Sequence, residues 1–113
     1  MREACVIADS GPLIALARIG QLDLLPKLSE RIIIPLGVWE EVTISDPEAP
    51  GAEAVRAVTW LEVQSAPAPL VSALSILVDR GEAEAIALAQ TMVHSLLVAD
   101  DARARRVAER LAC

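Results

Sequence analysis

Acidic side chains stand directly after two apolar runs of this chain. Asp9 follows the run VIA, and Asp100 and Asp101 follow the run LLVA. In open parallel α/β sheets, ligands bind beyond the carboxyl ends of the strands, near the point where the strand order reverses. If the two runs form neighbouring strands, we expect these carboxylates to face one crevice.

Two further acids occupy positions from which they could reach the same crevice. Glu41 lies in the helical segment LGVWEEV, and Glu82 follows Gly81 at the start of another predicted helix. Carboxylates that crowd into one cleft repel each other unless some are protonated or a cation neutralises them. A donor set of oxygen atoms without histidine or cysteine suits Mg²⁺ or Mn²⁺, not zinc. The pattern therefore favours a site for one of these two cations.

Each acid also has a structural interpretation, which we favour by about two to one for any acid taken alone, because helix caps are commoner than metal sites. The residues that could cap a helix are Asp9, Ser10, Asp100, Asp101 and, as a capping box, Asp79 with Glu82. Glu41 could be an exposed member of the Glu40 and Glu41 pair. Glu84 points about 200° away from Glu82 around the helix, so if Glu82 is a ligand, Glu84 is expected to be a supporting or exposed residue.

Alternating strands and helices must position these acids. Apolar runs predict strands at residues 4–8, 31–35, 60–65 and 95–99, with Leu61 and Val63 on one face of the third. Helical spacing predicts helices from about residue 12 to Gly20, over 21–29 with a bend at Pro26, over 36–42 and 52–58, across the apolar face of 70–78, from Gly81 to 92, and over 102–112. This order requires parallel strands joined by helical crossovers, in a sheet covered on both faces.

The composition describes one globular domain over residues 1–113. Apolar residues make up 54% of the chain, which is too many for a disordered segment and enough for a single core. No apolar run approaches the ~20 residues that cross a bilayer, and the N-terminal MREAC is unlike a signal peptide, so we expect a cytoplasmic protein with no membrane association. Cys5 is expected to be buried. One histidine, His94, and the absence of CxxC spacing argue against a zinc site.

The net charge of −6 argues against a protein that holds nucleic acid by a broad basic surface, because such binding needs many Lys and Arg side chains. It leaves open an enzyme whose bound cations supply positive charge locally. Four arginines, Arg103, Arg105, Arg106 and Arg110, are concentrated in the last eleven residues. With no Phe or Tyr and two Trp, the chain has little means of stacking single-stranded bases.

Four motifs in this order resemble the PIN domain family of metal-dependent ribonucleases: VIADSGPLIAL, IIIPLGVWEEV, LVDRGEAEAIALA and LLVADDARARRVAERL. The closest resemblance is to its bacterial and archaeal branch of small toxin-like, VapC-like proteins whose helix carries GEAEAIALA, and it covers essentially the whole chain. It implies a three-layer α/β/α sandwich with a central, mainly parallel sheet, and hydrolysis of RNA phosphodiesters with Mg²⁺ or Mn²⁺. Family members usually continue past the last helix, which leaves open whether this chain lacks the final strand and helix.

The resemblance also implies roles for particular residues. The four acids of the family, which bind the metal, match Asp9, Glu41, Glu82 and Asp100. Asp101 is implied as a neighbouring ligand or an orienting base, and Ser10 matches the small hydroxyl residue that follows the first acid and helps to hold it or the substrate. Arg103 and Arg106 could contact substrate phosphates, and a solvated helix face with acid partners such as Glu109 accounts for them at least as well.

By resemblance, the predicted function is a metal-dependent ribonuclease that is the toxin of a toxin–antitoxin pair. A homodimer and an antitoxin protein that occludes the acidic cleft with a basic side chain are implied as well. The alternative is a catalytically inactive PIN-like module that binds a partner protein. A phosphatase of the haloacid dehalogenase type would need a second Asp two positions after Asp9, where this chain has Gly11.

Overall fold

A parallel sheet of four short strands forms the centre of the fold in a computed structural model. The structure describes the backbone of residues 5–92 and 95–98, and the side chains of residues 5–92 and of Leu97. The strands are β1 (Cys5–Ala8), β2 (Ile32–Pro35), β3 (Leu61–Gln64) and β4 (Ser95–Val98), in the spatial order β3-β2-β1-β4. All neighbouring pairs are parallel, so the predicted strands and their arrangement are confirmed.

Helices lie between the strands along the chain, as the sequence predicts. They are α1 (Ser10–Arg18), α2 (Leu24–Leu28), α3 (Leu36–Thr43), α4 (Ala52–Ala57), α5 (Ala68–Leu74) and α6 (Arg80–Gln90). The helix predicted over 102–112 lies outside the described residues. No helix in the described part of the chain is long and apolar enough to span a membrane.

The two faces of the sheet pack against different helices, because successive side chains of a strand point to opposite faces. One face buries side chains of β1 and β2 against α1 to α4: Val6, Ala8, Ile32 and Ile34 with Leu13, Ala17, Leu25, Val38, Val42 and Val55. The other face buries Cys5, Ile7 and Ile33 against Ala85 and Leu88 of α6. Helix α6 packs in turn on α5. Helices therefore cover both faces of the sheet. The predicted three-layer α/β/α architecture is confirmed.

The strand order reverses at β1. The chain builds from β1 to β2 and β3 on one side, and then returns to the other side of β1 for β4. Ala8 and Val98 pair at the ends of β1 and β4. The ends of these two strands therefore lie at the same edge of the sheet, where α/β proteins bind ligands. This meets the condition for a shared crevice of Asp9 and Asp100, although Asp100 lies outside the described residues.

The apolar pattern of residues 70–78 predicts one continuous helix, but α5 ends at Leu74. The backbone continues in a turn in which the Leu77 N–H donates to the Leu74 carbonyl at 2.9 Å. Val78 is buried as the pattern indicates, whereas Leu77 is 52% exposed. The chain has to change direction here because α6 begins at Arg80 and packs against α5. The spacing of the apolar residues continues through this turn and therefore does not predict it.

Strand β3 is an edge strand, and the core covers it unevenly. Leu61 packs partly on the core, but Val63, which alternation places on the same face, is 39% exposed. An edge strand has a neighbour on one side alone, so fewer side chains cover its far end. The predicted strand with Leu61 and Val63 on one face is confirmed, and the core covers that face at Leu61 more than at Val63.

Cys5 is buried in β1, which confirms its prediction as a small core residue. Its thiol lies 3.8 Å from the Met92 sulfur. Burial raises the pKa of the Cys5 thiol, because the thiolate is poorly solvated there. The residue therefore remains a protonated packing group at neutral pH.

An exposed ion pair links the segments that carry β2 and β3, and it gives a small, pH-dependent effect. Arg31 donates to both carboxylate oxygens of Glu62, at 3.0 and 2.9 Å. These hydrogen bonds lower the pKa of the Glu62 carboxyl in the folded protein. A carboxyl whose pKa is lowered by folding stabilises the protein above its unfolded pKa, and that contribution is lost as pH falls through the folded pKa.

We expect Glu62→Gln to lower the free energy of unfolding by at most about 1 kcal/mol at neutral pH, because both side chains are exposed to solvent. Urea unfolding of the two proteins should show this difference shrinking from about pH 5 downward. A difference that grows toward low pH would contradict the assignment.

Candidate acidic site at the carboxyl end of the sheet

Asp9 is a buried carboxylate at the end of β1. Its side chain is only 3% exposed, and it caps α1 by accepting the Ser10 backbone N–H at 2.8 Å. The capping interpretation of Asp9 is therefore correct. Ser10 holds Asp9 through its backbone, as the first residue of α1. Both the strand end and the cap fix this carboxylate, so it cannot swing away into solvent.

Glu41 reaches the same edge of the sheet from α3. This helix begins at Leu36, directly after β2, and buries Val38 and Val42 against the core. Glu41 lies three positions after Val38, on the flank of that buried face, and is exposed. The direct connection of β2 to α3 thus places an acid beside the strand ends.

Asp9 and Glu41 converge on Gly81, at the start of α6. A Cβ atom added to Gly81 would lie 3.5 Å from Asp9 Oδ1, 3.6 Å from Glu41 Oε1 and 3.7 Å from Val38 Cγ2. The two carboxylate oxygens therefore border one small space and are at most about 7 Å apart. The N-terminus of α6 carries partial positive charge, which favours carboxylates nearby. Two of the four predicted metal ligands are brought together.

Glu84 is a buried acid whose structural position the spacing alone did not settle. It is 9% exposed, and its Oε2 accepts the backbone N–H of Gly37 at 3.2 Å. Its Oε1 lies 3.8 Å from Arg80 Nε on the same helix. The carboxylate thereby connects α6 to the first turn of α3, the helix that carries Glu41. Of the two positions predicted for Glu84, the exposed one is wrong, and the supporting one stays a prediction.

A cavity of about 270 Å³ opens between α3 and α6. It is lined by Gly37, Glu40, Glu41, Ser45, Arg80, Gly81 and Glu84. A second cavity of about 240 Å³ shares Gly37, Glu40, Arg80 and Glu84 with the first and extends to Ser65 and Ala66. The two cavities adjoin at these shared residues and together are called the groove, and Glu41 lines the first of them. Arg80, whose side chain is 79% exposed, is a cation at the wall of this groove.

The structure describes some of the remaining predicted site residues, and others lie outside the described residues. Glu82 lies in the first turn of α6, next to Gly81, and is half-buried. Asp79 is the residue before α6, but its side chain makes no capping hydrogen bond, so its half of the predicted capping box is absent. The others lie outside the described residues: Asp100, Asp101, Arg103 and Arg106.

The fit of this site to a divalent cation rests on its donor atoms and its open space. Within residues 5–92 and 95–98, no group of three or more Asp, Glu, His or Cys side chains could by itself hold a metal ion. Asp9 and Glu41 nevertheless present carboxylate oxygens to a space that a Cβ at Gly81 would fill. Oxygen donors of this kind are those that Mg²⁺ and Mn²⁺ prefer. The pair fits part of the ligand shell of such an ion.

Arg80 lines the site and was not among the predicted residues, whereas Glu84 was predicted without a definite position. Arg80 is a single arginine next to Gly81, and nothing in its local pattern distinguishes it from a surface residue. Glu84 had a usable signal, because it stands within the apolar run AEAIALA, and a helix that buries both neighbours must bury it too. An acid inside an all-round apolar helix segment needs a partner in the fold.

The fold and the site together define an α/β protein with two carboxylates at the reversal point of a parallel sheet, the edge at which such proteins bind ligands. A family model described as "DUF3368: PIN domain" matches residues 5–113, and the chain therefore belongs to the PIN domain family. PIN domains are generally nucleases, a class of hydrolases, and typically use divalent metals. No curated protein and no solved structure gives a significant match to the chain.

Proposed function

We propose that this protein is a metal-dependent ribonuclease that hydrolyses RNA phosphodiesters with Mg²⁺ or Mn²⁺. The observation that carries the proposal is the convergence of the Asp9 and Glu41 carboxylates on the open space at Gly81. Membership of a family of nucleases supports the reaction class. Isolated helix caps explain Asp9 alone; they do not explain why Glu41, from a different helix, faces the same point.

The chain supplies oxygen ligands from separate elements. Asp9 and Glu41 would hold the cation, with Glu82 and Asp100 as further ligands and Asp101 as a ligand or orienting base. When bound, the cation lowers the pKa of a water molecule and stabilises negative charge on the transferring phosphoryl group and the leaving oxygen. Because Asp9 is fixed by β1 and by the Ser10 N–H, it holds its carboxylate in place without a cost of reorganisation.

Arginine side chains would supply the contacts to RNA. Arg80 is exposed at the groove, which Glu41 also lines, and its guanidinium can meet a phosphate close to the acids. Arg103 and Arg106 are proposed to contact phosphates as well. With a net charge of −6, the protein would bind RNA through these few local cations and the metal, not through a broad basic surface.

We also propose that the protein is the toxin of a toxin–antitoxin pair, a homodimer whose acidic cleft is bound by an antitoxin protein. The support for this role is the resemblance of GEAEAIALA and its neighbouring motifs to the toxin-like branch of the family. The acidic groove lined by Glu40, Glu41 and Glu84 is a surface that a basic side chain of a partner can enter.

Cleavage of an RNA panel tests the proposed activity. Single-stranded and structured RNAs, incubated with the purified protein, should be cut with Mn²⁺ or Mg²⁺ and remain intact with EDTA. Glu41→Gln should remove most of the activity, whereas the matched control Glu53→Gln, an exposed acid in the first turn of α4, should retain it. Intact RNA under every condition would contradict the proposal and favour an inactive module that binds a partner.

A further inference from the structure

Gly81 occupies a position where alanine would suit the backbone. It is the second residue of α6, and glycine within a helix is less favourable than alanine. The glycines with positive φ in the described part of the chain are Gly20 and Gly51, so the conformation of Gly81 does not demand glycine. Helix geometry therefore gives no reason for glycine here.

Packing gives no reason either. A Cβ at Gly81 would have its nearest neighbours at 3.5 to 3.7 Å, which are ordinary van der Waals distances. Gly37 is the contrasting case, because a Cβ there would lie 2.6 Å from Glu84 Oε2 and 2.7 Å from Glu84 Cδ. A methyl group at Gly81 would thus fit among the protein atoms, and what it would occupy is the space between two carboxylates.

We propose that Gly81 keeps open the space in which a divalent cation and its water molecules bind against Asp9 and Glu41. This inference rests on the proposed function. A methyl group within 3.6 Å of both carboxylate oxygens would exclude water from the side of the ion that faces α6. The sequence thus keeps a less favourable helix residue at a point where a side chain would fill the space between Asp9 and Glu41.

The variant Gly81→Ala tests the space alone, because alanine retains the backbone N–H and the helical conformation. Mn²⁺ binding to the full chain should be measured by titration calorimetry, and the thermal midpoint should be recorded with and without Mn²⁺. We expect the metal-free Tm to be unchanged or a few degrees higher, and Mn²⁺ binding to be weaker by about 10- to 100-fold. Gln90→Ala, at the exposed far end of α6, is the matched control and should bind Mn²⁺ like the wild type.

The outcomes separate this inference from the proposed function. If Gly81→Ala binds Mn²⁺ as tightly as the wild type while Asp9→Asn does not, the proposed metal site stands and the role of Gly81 is overturned. If the metal-free Gly81→Ala protein loses several degrees of Tm, glycine is required by packing and the inference also fails. A wild-type protein without any response to Mn²⁺ would overturn both proposals.

Discussion

Replacing Asp9 by Asn is expected to abolish RNA cleavage and leave the fold intact. The amide removes the negative charge but keeps an oxygen that can accept the Ser10 N–H, and Asn is as good a helix cap as Asp. A bound cation typically supplies several kcal/mol of transition-state stabilisation, so the loss of a buried ligand should slow cleavage by at least ~100-fold. Single-turnover cleavage with saturating Mn²⁺ measures this effect directly.

The thermal stability of the same variant identifies the cause of the lost activity. We expect the metal-free Asp9→Asn protein to be as stable as the wild type, because the cap is preserved and repulsion with Glu41 is reduced. Asp9→Ala, which lacks the cap, should be less stable by about 1 kcal/mol. Full cleavage by Asp9→Asn would show that Asp9 is a cap and nothing more, and loss of its folded structure would show that the fold needs the charge of Asp9 as well as its cap.

The fold was predictable from local patterns because each element carries its own signal. Three consecutive isoleucines before Pro35 are too short for a helix and too apolar for a loop, and they form β2. Leu13 and Ala17 repeat at helical spacing after Pro12, and α1 buries both. The end of α5 at Leu74 was not predictable in this way, because it depends on where α6 packs.

The candidate site was predictable where its residues are fixed by a strand end, and less so where they depend on contacts between distant segments. Asp9 and Glu41 each follow a strand closely, so the parallel order places them at one edge of the sheet. Glu84 and Gly37 are 47 positions apart, and their hydrogen bond depends on how α3 packs against α6. Helical spacing describes the direction of Glu84 relative to Glu82, but it contains no information about the partner.

Gly37→Ala should be the most destabilising of the glycine-to-alanine changes near the site. The new Cβ would overlap the Glu84 carboxylate, which lies within 2.7 Å of it. Glu84 would have to move, which breaks its hydrogen bond to the Gly37 N–H and leaves a mostly buried charge without that donor. Overpacking costs about 1–3 kcal/mol, and a hydrogen bond to a charged group contributes about 1.5–3 kcal/mol. The better helix propensity of alanine offsets about 1 kcal/mol at most, so we expect a net loss of about 1.5–5 kcal/mol.

A double-mutant cycle with Glu84→Ala shows whether this overlap is the cause. Removing the carboxylate gives the methyl group room, so the double variant should be more stable than the sum of the two single changes predicts, by about 1 kcal/mol or more. Additive losses would place the strain elsewhere in α3. Because α3 also carries Glu41, the displacement of Glu84 in Gly37→Ala should shift Glu41 relative to Asp9 and weaken Mn²⁺ binding. Restored Mn²⁺ affinity in the double variant would then mean that the overlap with Glu84 had displaced Glu41, whereas continued loss would mean that the Glu84 carboxylate is itself needed, through its hydrogen bond to α3 or for the metal.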